Sequence, residues 1–305
     1  MKTRNIGIYE YQERFSDLKQ DKLPSSMQLP TATNEALLLR ILLGQINLKK
    51  NATSGLIRPR TNYLRLPYVP TGSTTYSAIG DIFSSIDNKV NIIDENNDID
   101  NYFTQNRRNH DVHEKVLFEI SSYFVNQQQA PITAFAHLYR CLEYMSYSFP
   151  MLYAAKSKNY KGTFTDLKKF FSGDTAGELK FFHKFLQVLF EDEETTLKYE
   201  FGINLLLSNP LDCFERECRA IYKSFPYAIE NGILQIKFEN MLEFFITTRN
   251  RFFHMLVGQG QENFSSIDYD IGEYFKSINP YVLNWLSIII QKISVYGFYS
   301  SLIGS

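Results

Sequence analysis

From about residue 110 onward, apolar residues return every third or fourth position in one segment after another. That rhythm leaves little choice except a stack of amphipathic helices. The spacing predicts a helix over 113–126, with Val116, Leu117, Ile120 and Phe124 on one face. A second opens at Pro131, whose missing N–H costs nothing in the first turn, and carries Phe135, Leu138, Tyr139, Leu142 and Met145. Further helices are expected over 164–171, 176–191, 195–207, 238–256 and 280–298. Asn209-Pro210 and Asn279-Pro280 each set a capping Asn before a Pro suited to the first helical position. A short extended piece is expected over 232–237. The chain's 25 Phe and 20 Tyr supply core and interface.

The first third is less regular. One helix is expected over 33–48, capped by Thr33 or Asn34, with Leu37, Leu38, Ile41, Leu42 and Ile46 inward. Turn-rich extended segments follow, and residues 86–110, dominated by Asn, Asp and Ile, read as an exposed connection. Arg58, Arg60 and Arg65 beside Tyr63 and Tyr68 read as a solvated basic loop, with phosphate contact as the alternative. The expected class is therefore mostly α. An accessory region over 1–110, with one helix and extended segments, precedes a helical bundle over 111–305.

Lys and Arg total 32 against 33 Asp and Glu, so no global field recruits nucleic acid or an anionic membrane. Any such partner must be held by a local patch. Cys141, Cys213 and Cys218 form neither a metal-ligand pair nor an even disulfide framework, and they suit a reducing compartment. The charged first twenty residues have no signal-peptide core. The apolar run 281–303 is interrupted at helical spacing by Asn284, Ser287, Gln291 and Ser294, so it reads as a core helix rather than a membrane span. A soluble cytoplasmic protein is expected. No cofactor and no metal site are expected either.

The residues that carry chemistry lie in the 238–256 helix, as Arg249-Asn250-Arg251-Phe252-Phe253-His254. On a helical wheel Leu242, Phe245, Ile246, Phe252, Phe253 and Leu256 form an apolar stripe with Arg249 near its middle. Glu243, Thr247, Asn250 and His254 run along its border. A cation in such a place needs an anion. One reading pairs it with Glu143 or Glu239 of the fold itself. The other gives it a phosphate, with His254 moving protons near neutral pH.

Arg-Asn-x-x-x-His late in an all-α chain, just before a terminal amphipathic helix, resembles the signature of the HEPN superfamily. With 13 Arg, 22 Asn and 5 His in 305 residues, about 0.015 chance copies are expected. The resemblance spans roughly 113–305. It implies a helical bundle that dimerises so that two motifs share a cleft. It also implies a metal-independent endoribonuclease of toxin–antitoxin or phage-defence systems, with RNA as substrate and an antitoxin or defence protein as partner. Arg249 would then stabilise the phosphorane-like transition state, His254 would act as base or acid, and Asn250 would orient one of them. Arg251 would contact RNA. The alternative is an inactive module of the same type that binds RNA, nucleotide or protein.

The pattern occurs twice. Arg108-Asn109-His110-Asp111-Val112-His113 repeats it after the Asn- and Asp-rich connection. This copy reads as a polar loop and cap or an accessory RNA contact through Arg107, Arg108, His110 and His113. A second catalytic copy is the alternative.

Overall fold

The structure is a computed structural model that describes residues 3–14, 23–50, 55–59, 61–68, 95–172, 175–205, 227–253 and 271–303. It is mostly helical, with two small antiparallel sheets. The chain divides into two compact units. One comprises Met1–Asn126 with Leu286–Ser305, the other Gln127–Trp285. The expected cut lay at 110; in the structure the helix beginning there belongs with the N-terminal elements.

The first unit opens with strands β1 (Thr3–Ile6) and β2 (Tyr9–Glu13), and β2 also pairs with β3 (Ile46–Lys49). Between β2 and β3 lie a 3-10 turn, Ser25–Met27, and helix α1 (Asn34–Leu42). Thr33 caps α1 by accepting from the Ala36 N–H, as its residue type predicts. The helix stops six residues short of the expected end. Gly44 takes φ +72°, its N–H bonds the Ile41 carbonyl, and the chain turns into β3. Ile46 and Leu48 are therefore buried strand residues rather than helical ones. Every residue of α1 is buried, Arg40 included.

Helix α2 (Glu95–Gln105), a 3-10 turn (Asn106–Asn109) and α3 (His110–Asn126) follow. This corrects the exposed connection expected up to 110. Ile99, Tyr102 and Phe103, at helical spacing within a polar sequence, are buried. Asp100 clamps α2 to the first 3-10 turn. Its Oδ1 accepts from the Ser26 N–H at 2.7 Å and hydroxyl at 2.5 Å, and its Oδ2 from the Ser25 N–H and hydroxyl at 3.0 Å each. Burial pushes this carboxyl up, but the four hydrogen bonds outweigh it and hold the carboxyl below its ordinary value. A depressed carboxyl contributes stability that is complete above its unfolded value of about 3.9 and fades as pH falls through the folded value. Asp100→Asn is thus expected to lower the urea midpoint at neutral pH and to converge on the unsubstituted protein in acid. A difference that persists undiminished in acid would overturn this account.

In the second unit come α4 (Pro131–Ser146), α5 (Ser148–Lys156), α6 (Tyr160–Phe171), α7 (Thr175–Leu189) and the single turn α8 (Glu194–Leu197). Pro131 opens α4 as expected. The helix expected over 195–207 is instead α8 followed by strand β4 (Glu200–Asn204), where Phe201 and Ile203 alternate inward. Strands β5 (Ala228–Glu230) and β6 (Ile233–Lys237) complete a sheet ordered β4-β6-β5. Asn231 and Gly232 turn β5 into β6 with φ of 51° and 76°, the double left-handed pair that a tight hairpin needs. The extended piece expected over 232–237 is β6.

A 3-10 turn, Phe238–Asn240, leads into α9 (Met241–Phe253). Helix α10 (Ile271–Ile303) begins in the second unit and ends in the first. Asn279-Pro280 does not open a helix as expected, because Pro280 lies inside α10. The Asn279 amide reaches the Pro131 carbonyl at 2.8 Å in the interior instead of capping. The pair at 209–210 lies outside the described residues. Around Trp285, whose indole N–H donates to the Phe238 carbonyl at 3.1 Å, gather Phe182, Phe238 and Phe245. Among the described residues no helix is long and apolar enough to cross a membrane.

Candidate functional site

Arg249 and Asn250 sit near the C-terminal end of α9. The buried face of this helix is Met241, Leu242, Phe244, Phe245 and Thr248. Phe245 meets Phe135 edge-on at 4.9 Å. That face is rotated from the expected stripe, with Ile246 half-buried and Phe253 42% exposed. Arg249 therefore lies at the border of the apolar face rather than at its centre, and is half-buried. Its guanidinium carbon stands 4.7 Å from the centroid of the Tyr139 ring, and its Nη1 donates to the Asn250 Oδ1 at 3.0 Å. Ring face and amide together fix the plane of the guanidinium fork, the group suited to two oxygens of a phosphoryl group. Arg251 is half-buried on the same helix. His254 lies outside the described residues, as does Leu256, so Arg249 and Asn250 are the catalytic candidates that the structure brings together.

The other copy of the motif lies in the first unit. Arg107 and Arg108 are on the 3-10 turn before α3, and their side chains are outside the described set. His110 is the first residue of α3, and His113 lies one turn on. They line a small pocket together with Asn34, Glu35 and Asn106. Glu35 is its hub. It is 4% exposed and stands in the first turn of α1, where the helix dipole favours a carboxylate. Its Oε1 accepts from the Tyr102 hydroxyl at 2.7 Å, its Oε2 from the Asn106 amide at 2.6 Å, and the His113 Nδ1 stands 3.6 Å from that Oε2. Burial first, and then the facing Glu35 charge, push the Tyr102 phenol well above its ordinary value, so it remains a donor throughout the neutral range. Position 297 must be glycine for Tyr102 to reach this place, since a Cβ there would lie 2.8 Å from the phenol oxygen.

His110 is tied by its Nε2 to the Asn34 amide nitrogen at 3.1 Å, while the buried Oδ1 of Asn34 has no hydrogen-bond partner. The His110 Nδ1 faces Glu114 at 3.6 Å and Asp111 at 4.0 Å. These three have ligand atoms within 4.8 Å of one another, but all are exposed at a helix N-terminus, where the dipole opposes a cation. The expected polar cap at this copy thus becomes an imidazole beside a buried carboxylate. Glu35, Asn34 and Tyr102 were not candidates in the sequence. The legible signal was Ile99-x-x-Tyr102-Phe103, which marks a packed helix just ahead of the motif. The expected basic loop is partly interior, for Tyr63 and Tyr68 are buried and stacked 5.6 Å apart.

No family model matches this chain, and neither a curated protein nor a solved structure does.

Proposed function

We propose that this protein is a metal-independent endoribonuclease of the HEPN type, dimeric and cytoplasmic, acting as a toxin or abortive-infection effector. The observation that carries the reading is Arg249, the arginine of an Arg-Asn-x-x-x-His motif, held half-buried by Tyr139 and bonded to the Asn of the same motif. The mostly helical fold is consistent with it. In the reaction the ribose 2′-hydroxyl loses its proton and attacks the adjacent phosphorus. The bond to the 5′-oxygen breaks, and that oxygen takes up a proton. His254 would move one of these protons, while Arg249 would neutralise charge gathering on the phosphoryl oxygens. Asn250 would hold the guanidinium in place, and Arg251, with Arg107, Arg108 and His113 of the other copy, would contact RNA.

The test is purified protein with single-stranded RNA in EDTA. The expected products end in a 2′,3′-cyclic phosphate and a 5′-hydroxyl, and a 2′-deoxy nucleotide at the scissile position blocks cleavage. A requirement for divalent ions, or ends of the opposite type, would overturn the proposal. A second reading has its own observation: an arginine engaged by Tyr139 and Asn250 also suits a module that binds RNA, nucleotide or a partner protein without cleaving. Binding that survives while no cleavage is seen would favour it.

A further inference from the structure

Helix α6 carries an exposed face that the motifs do not use. Tyr160, the most exposed large hydrophobic side chain among the described residues at 87%, shares it with Phe164 at 69% and Phe171 at 70%. At 100° per residue these three fall within about 40° of one another, along about 16 Å of helix. Lys161 and Lys168, both exposed, fall beside that stripe, within about 100° of Tyr160. Neither lysine has an ion-pair partner among the described residues. The one acid of the helix, Asp166, points to the opposite side, where it receives Lys184 at 2.6 Å and the Tyr153 hydroxyl at 2.9 Å. The face therefore joins a row of rings to a row of cations, with no carboxylate of its own helix between them.

We infer that the Tyr160–Phe164–Phe171 face of α6, flanked by Lys161 and Lys168, is a binding surface for single-stranded RNA. Bases stack on the rings, which is indifferent to sequence because every base has a π-face, and phosphates meet the lysines. Charge complementarity decides for RNA. A chain of net charge −1 has no global attraction for a polyanion, so a local patch such as this must supply it. A helix that lies in lipid presents a broad apolar face of about 100° or more, whereas the exposed rings of α6 span only about 40° and Leu167, the helix's one branched aliphatic residue, is half-buried off the stripe. The inference takes its ligand from the proposed ribonuclease but concerns binding alone.

The test is fluorescence anisotropy of the full chain with a labelled 2′-O-methyl oligouridine, which cannot be cleaved through its 2′ oxygen, in EDTA. Y160A/F164A is expected to weaken binding at least about 30-fold. K161E/K168E is expected to weaken it and to lower the slope of log affinity against log salt by about 1.4, two phosphate contacts at about 0.7 each. Both variants should melt with the unsubstituted protein, since the side chains are exposed. No RNA binding, or unchanged affinity in both variants, overturns the inference. So does a loss confined to self-association in sedimentation or to anionic-vesicle binding. Cleavage that fails while the variants still lose RNA sinks the nuclease reading alone; cleavage unaffected by variants that also leave binding intact sinks only this surface.

Discussion

Alanine at position 249 is expected to slow RNA cleavage about 10²- to 10³-fold while leaving the fold nearly as stable as before. The rate loss is that of removing one preorganised donor from a developing oxyanion. It should appear in kcat under single-turnover conditions with KM little changed, because the interaction is made mainly in the transition state. Lysine at 249 keeps the charge but loses the planar fork, so an intermediate rate is expected. The stability side follows from placement. A half-buried guanidinium stacked on Tyr139 contributes on the order of 0.5–1 kcal/mol, so melting should fall by only a few degrees. A purely architectural arginine paired with an internal acid predicts the reverse, a loss of several kcal/mol. His254→Ala should abolish cleavage to a similar degree. Full-rate cleavage by either variant, or an Arg249→Ala chain that no longer folds, would remove the basis of the proposal.

What the sequence disclosed and what it hid divides along physical lines. Helices whose apolar faces pack on one side only, such as α4 and α9, are legible because their periodicity is complete. The apolar spacing of helix α1 runs on through Gly44, because Ile46 and Leu48 continue it; the left-handed glycine is what stops the helix. Strand β4 reads as helix because Leu197, Phe201 and Leu205 recur every fourth residue, while the alternation of Phe201, Ile203 and Leu205 that marks the strand is too short to outweigh them. Asn231-Gly232, the strongest local hairpin signal in the chain, shows that β6 needed a partner strand. Helix α2 was obscured by a polar composition that only three buried residues contradict.

The site followed the same division. The motif residues could be read because they are adjacent in sequence. Glu35, 78 positions from His113, becomes visible only when α1 packs on α3. The orientation of Arg249 depends on which side of α9 faces Phe135, and periodicity alone places that side roughly 70° away around the helix.

Glu13→Ala is expected to be the most destabilising single substitution in the first unit, by about 3–5 kcal/mol. Arg40 is fully buried on α1, donating to the Glu13 carboxylate of β2, to the Met27 carbonyl at 2.9 Å and to the Gln45 side chain at 3.2 Å. Removing the carboxylate leaves a guanidinium without its counter-charge in the interior, which costs far more than the hydrogen bond itself. Glu13→Gln retains an oxygen acceptor, so its loss should be smaller. The pair need not be a net source of stability, because both charges were desolvated to make it. Arg40→Met alone should strand Glu13, whose Oε2 already lacks a hydrogen-bond partner, whereas Arg40→Met with Glu13→Leu should recover most of the loss. Urea unfolding followed by far-UV circular dichroism on Glu13→Leu, Arg40→Met and the double variant closes a cycle in which the double loss is much less than the sum. Strict additivity would mean that the two side chains do not depend on each other, and the buried pair would then not be what fastens β2 to α1.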